Sequence, residues 1–149
     1  MKNLFQKEIL EEVLTRIEHL TPDTPARWGV MNVAQMLAHC AESVDMATGT
    51  NKPTRMLLGR IFGKLFRPVY SNAIPFMKNL PTAKSLRIRD ERDFNNEKEK
   101  LITKLKQFSK GGEAVCTSFP HPLLGRLTPN EWSVGTYKHL DHHLRQFGV

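Results

Sequence analysis

Three of the six histidines in this 149-residue chain fall within five residues, in the stretch Tyr137-Lys138-His139-Leu140-Asp141-His142-His143-Leu144-Arg145-Gln146. On a helix, His139 and His143 are four apart and share a face, with Cβ atoms roughly 5–6 Å from each other. Two imidazoles so placed can share one metal ion. His142 is rotated by about 100° from His143 and leans towards Lys138, Asp141 and Arg145, so it reads as a neighbour of the pair. A solvated or core-packed pair is the plainer reading of His139 and His143. His39 lies on a second amphipathic segment, at the margin of its apolar stripe, with Glu42 three residues on. Periodicity leaves open whether His39 faces in or out. His121 precedes Pro122 in a loop, where a turn role is expected. His19 reads as a solvated residue at a helix end.

The elements that must position these residues are helical. An amphipathic helix is expected from about Asn3 to His19, with Phe5, Ile9, Val13, Ile17 and Leu20 at helical spacing. Thr21-Pro22-Asp23-Thr24-Pro25 breaks the chain. Asn32 as N-cap, with Gln35 three residues later, opens a second helix over Val33 to about Thr48, stopped by Gly49. Its buried stripe is Val33, Met36, Leu37, Cys40 and Val44. Arg55 to Arg67 reads as a short helix weakened by Gly59 and Gly63. Pro68, Pro75 and Pro81 argue for an extended connection over 68–92, and a connection this long often covers a site. A third long helix is expected from near Asp93 to near Lys110, ended by Gly111-Gly112. Ala114 to Phe119 reads as a short extended run and His121 to Leu127 as a loop. Thr128-Pro129-Asn130-Glu131 begins the last helix, which runs to about Phe147. Trp132, Thr136, Leu140, Leu144 and Phe147 mark its inward side. Four long amphipathic helices with almost no strand signal give an all-α bundle, with a long crossover connection over 50–92 between the second and third long helices.

The totals fit one domain over residues 1–149, with a real core. Apolar residues are 40% and charged residues 25%, as in soluble globular chains. No apolar run reaches the ~18 residues of a bilayer span, and the start becomes charged too soon for a signal peptide. Cys40 and Cys116 are too few for a disulfide framework, and both read as buried apolar residues. A reducing cytoplasm is the default. Net charge is +7, and between Asp45 and Asp90 there are nine Lys and Arg and no acidic residue. That stretch reads as a solvated face, a funnel for anionic substrates, or a membrane-surface element. No nucleic-acid motif is present.

With those elements in place, the chain resembles the DinB/YfiT superfamily of four-helix metalloenzymes over nearly its whole length. The residues that carry the likeness are Trp28, Asn32 to His39, and His139 to Gln146. A little-characterised bacterial branch is closer still. It shares Trp28, Met31, Gln35 to His39, His121 to Trp132, and Tyr137 to His143.

The resemblance implies a four-helix bundle and a divalent metal, zinc or nickel, held by His39, His139 and His143. It also implies a thiol or water activated for transfer to, or hydrolysis of, a small molecule. Characterised relatives are mostly thiol-dependent transferases or isomerases that use low-molecular-weight thiols, and related folds often form homodimers. Three neutral imidazoles and an open position suit catalysis rather than structure. Each ligand needs its second ring nitrogen held by an acceptor. Glu42 and Asp141 are the carboxylates within sequence reach. Glu42 is also an expected general base or fourth ligand, and His142 an expected catalytic residue that could also chelate with His139 at i, i+3. The rival reading is a non-catalytic ligand- or partner-binding module with vestigial histidines.

Overall fold

The computed structural model describes residues 1–78 and 86–149. Among them the chain is all α, with five α-helices and no strand. The helices are α1 (Lys7–Glu18), α2 (Val33–Thr48), α3 (Leu57–Tyr70), α4 (Phe94–Gly111) and α5 (Pro129–Gln146), with a 3-10 turn over Gly112–Val115. Helices α1 and α2 each pack on both α4 and α5, and α3 lies against α5.

Local chemistry sets most boundaries. Asn32 accepts from the Gln35 amide at 2.9 Å while the Gln35 side chain accepts from the Asn32 amide at 3.0 Å, so α2 opens on a closed capping box. Gly49 ends α2 at φ 79°, a left-handed conformation that a Cβ would penalise. Thr128 and Glu131 cap α5 in the same reciprocal way, with Pro129 at the first helical position. Asp93 accepts from the Asn96 amide at the start of α4. The first helix begins later than its periodicity predicts. The Asn3 side chain accepts from the Phe5 amide and from Ser133, a local bonding pattern that competes with helix.

The largest departure is α3. It runs through Pro68 to Tyr70, where an extended chain is expected. Pro68 falls in the last turn, where one forfeited amide bond matters least, and the Lys138 ammonium donates to the Val69 carbonyl beside it. Gly59 and Gly63 are not weak points in this helix. They are its buried residues, and a Cβ on Gly59 would stand 2.5 Å from the Leu123 carbonyl oxygen. The two glycines let α3 lie directly on the 122–124 backbone. Ala114 and Val115 wind into the 3-10 turn rather than extending, and the extended path starts at Cys116. There the Thr117 amide donates to the Ala47 carbonyl at the end of α2. Pro81 lies outside the described residues.

The core gathers Leu4, Val13, Ile17 and Leu20 with Met36, Leu37, Cys40 and Val44, then Leu101, Leu105 and Phe108, then Trp132, Leu140, Leu144 and Phe147. Twelve of the sixteen residues of α2 are buried, so it is covered on more sides than one apolar stripe implies. Both cysteines are free thiols. Burial pushes Cys116 up to about 11 and raises Cys40 further still.

Candidate metal centre

His39, on the second turn of α2, points inward, which settles what periodicity leaves open. It is 4% exposed and His143 is 7% exposed, while His139 is intermediate between buried and exposed. One nitrogen from each of the three rings lies within 4.8 Å of the others. The His39 and His139 Nε2 atoms are 3.0 Å apart, and the three ring centroids are separated by 4.6–4.9 Å. A tetrahedral ion with bonds of ~2.0–2.1 Å would set its ligand nitrogens roughly 3.3–3.4 Å apart. Small side-chain rotations span the difference.

The hydrogen bonds behind the rings decide which nitrogens face the centre. His39 Nδ1 donates to the Leu86 carbonyl at 2.9 Å, which leaves a bare lone pair on Nε2. For His143 the argument has one more link. Gln146 Nε2 donates to the Trp28 carbonyl at 2.6 Å, so the amide is oriented and its oxygen must accept. That oxygen is 2.8 Å from His143 Nδ1, which therefore carries the proton and leaves Nε2 bare. Gln146 is itself 4% exposed. Gly29 makes room for it, because at φ 82° a Cβ there would meet Gln146 Nε2 at 2.5 Å. Among the described residues His139 Nδ1 is buried without a partner, as is Trp132 Nε1 on the same face of α5.

Burial and mutual proximity keep the rings neutral. Burial lowers His39, and it drives His139 far below its ordinary value, with His143 and His39 adding to the effect. His143 is pushed down to about 3, chiefly by burial and then by His39. Neutral imidazole is the form that ligates a metal, so the cluster is ready to do so without losing protons. The donor set is nitrogen only, which suits zinc, nickel or copper better than magnesium or calcium.

The remaining expected residues sit around this centre. His142 is half-buried, 5.1 Å from the His143 ring and 5.8 Å from Trp28 between centroids, and burial lowers its pKa against the pull of the Phe76 carbonyl. Trp28 is half-buried, and the Lys78 ammonium stands 4.4 Å above its ring. Glu42 accepts from Asn51 at 2.6 Å, and its charge opposes the lowering at His39. It is not among the three clustered donors. Asp141 is committed elsewhere, accepting from Arg16 of α1 at 2.9 Å and from Arg145 at 3.1 Å. The acceptors that hold the rings are thus the Leu86 carbonyl and the Gln146 amide, which the sequence reading did not select. Only the spacing of Gln146, three residues after His143, could have signalled it.

His121 takes the turn role expected of it. Its Nδ1 accepts from the Leu123 and Leu124 amides at 3.1 and 3.2 Å. Its ring meets Tyr70 and Trp132, and burial holds it down at about 4. Tyr70, at the end of α3, packs on Gly135 of α5 in the space a Cβ would fill. His19 stands exposed at the end of α1.

The family model that matches this sequence covers residues 2–148 and is described as a protein of unknown function (DUF1569). No curated protein and no solved structure matches the chain.

Proposed function

We propose, from the premise that this chain belongs to the DUF1569 family of proteins of unknown function, that it is a metal-dependent enzyme acting on a small molecule. His39, His139 and His143 would hold a divalent ion, zinc or nickel. The observation that carries the reading is the donor geometry: two Nε2 lone pairs, fixed by bonds on the opposite ring nitrogens, converge on a third imidazole. Structural zinc sites are closed by four protein ligands, whereas three imidazoles leave a position for an exchangeable one. When bound, the ion would lower the pKa of a water or thiol in that position, giving hydrolysis or thiol transfer.

The chain's own groups have separable roles in this proposal. Leu86 and Gln146 orient the rings and raise their basicity. His142, half-buried beside His143, is the proton carrier. Glu42, whose charge is felt at His39, is the base. The resemblance to the DinB/YfiT superfamily supports the same ligand set and a low-molecular-weight thiol as co-substrate.

The test is elemental analysis of tag-free protein beside a His139→Ala, His143→Ala double variant. About one equivalent of transition metal in the wild type after reconstitution, and none in the variant, is the expected result. An absence of stoichiometric metal overturns the reading. One contact favours a second reading, a binding module with a self-satisfied histidine cluster: the 3.0 Å pairing of His39 with His139 is a hydrogen bond the rings can make by themselves. That reading gains if metal content and ligand binding are the same in the wild type and the double variant.

A further inference from the structure

Seven apolar side chains on α3 face solvent: Leu57 (73% exposed), Leu58 (51%), Ile61 (65%), Phe62 (44%), Leu65 (71%), Phe66 (40%) and Val69 (49%). At about 100° per residue they sweep an arc of roughly 180°. The helix buries only its opposite edge, through Gly59 and Gly63 against the 122–124 backbone. A helix held to its protein by glycines, with its leucines and phenylalanines turned outward, is inverted relative to a core helix. Arg60 and Lys64 are exposed along one border of the arc, and Arg67 beyond them is engaged with Glu131 at 2.6 Å. Ile74 and Met77, just after the helix, are also exposed, at 68% and 72%.

We infer that α3 is a membrane-surface docking element that lies in the headgroup region of an anionic lipid bilayer, with its apolar arc down and its basic border against the lipid phosphates. Charge complementarity selects this occupant. From residue 46 to residue 89 the sequence has nine basic residues and no carboxylate, and the Glu131 carboxylate that meets α3 from α5 is already taken up by Arg67. Pairing with a second copy through the same face would leave two sets of Arg60 and Lys64 with no acidic residue of this stretch to meet them. An anionic interface meets both the arc and the border. No described helix is long and apolar enough to cross a membrane, so the contact is with the surface. The inference is independent of the histidine centre, since none of these side chains is among the clustered donors.

The test is flotation of the full chain with vesicles of phosphatidylcholine alone, or of phosphatidylcholine and phosphatidylglycerol in equal parts. The protein should float with the anionic vesicles and not with the neutral ones. Binding should fall by roughly tenfold or more when salt is raised from about 0.1 M to about 0.5 M. Leu65→Glu, at a 71% exposed position, should abolish flotation while leaving the helical circular dichroism unchanged. Arg60→Glu with Lys64→Glu should do the same. Failure to float at low salt, equal flotation of the variants, or a concentration-dependent dimer that Leu65→Glu dissolves would each overturn the inference.

Discussion

Replacing Gln146 with leucine removes the one side chain that fixes the His143 tautomer. Leucine has one side-chain heavy atom fewer than Gln146, which is 4% exposed, so it fits the same space without a clash. Two hydrogen bonds go: His143 Nδ1 to Gln146 Oε1 at 2.8 Å, and Gln146 Nε2 to the Trp28 carbonyl at 2.6 Å. Trp28 is half-buried and its carbonyl can take water. His143, at 7% exposed, is left with a buried N–H and no acceptor, at a cost of about 1–3 kcal/mol. For a chain of this size that is roughly a 4–8 °C drop in Tm at the middle of the range. The imidazole can avoid the cost by moving its proton to Nε2, but it then presents a donor to the metal centre. The expected result is a weakening of zinc affinity by about 10–100-fold, read by competition against a chromophoric chelator. Gln146→Glu is the control. It keeps an acceptor for His143, loses the donation to Trp28 and buries a carboxylate, so it should hold zinc affinity within a few-fold while losing stability. If Gln146→Leu binds zinc as wild type does, while His143→Ala does not, the tautomer argument is wrong.

Two further outcomes follow from the same geometry. His143 and His121 are held at about 3 and about 4, against an ordinary value of 6.5. Below pH 6.5 the unfolded chain therefore binds protons that the folded chain refuses, and stability falls with pH. The loss should be about 2 kcal/mol for each at pH 5, and should continue until the pH passes below the folded values. Denaturant titration of chelator-treated protein at pH 7.5 and pH 5 checks this, and equal stability at the two would refute it. Gly59→Ala puts a methyl group against the Leu123 carbonyl. It should destabilise by about 1–3 kcal/mol through overpacking, offset by up to about 1 kcal/mol of helix propensity. A stabilised variant in thermal melts would show that α3 does not lie on that backbone.

How much of this was legible in the sequence depended on whether a feature is local. Asn32 with Gln35, and Thr128 with Glu131, act across three residues, and both capping boxes formed as read. The His139 and His143 pairing is likewise a property of one helix face. His39 was undecided because α2 is covered on several sides, and a marginal position on one stripe is then the centre of another contact. Asp141 shows the converse. Its neighbours in sequence suggested service to the histidines, but Arg16, 125 residues away, claims it. Propensity marks Gly59 and Gly63 as weak points, while their role is set by a loop some sixty residues downstream. Backbone acceptors such as Leu86 carry no signature in residue type at all. The five described helices agree with an all-α reading; α1 and α2 pack on α4 and α5, and α3 lies against α5.

The 100-residue separation of His39 from His139 gives the proposed ion a second office. Bridging them would staple the end of the chain to its first third, across a loop about as long as a small domain. Because such a clip exists only in the folded state, its hold on the fold grows with the logarithm of free ion over its dissociation constant. Heat resistance then becomes a gauge of occupancy: without any known substrate, the melting curve alone would report how full the centre is.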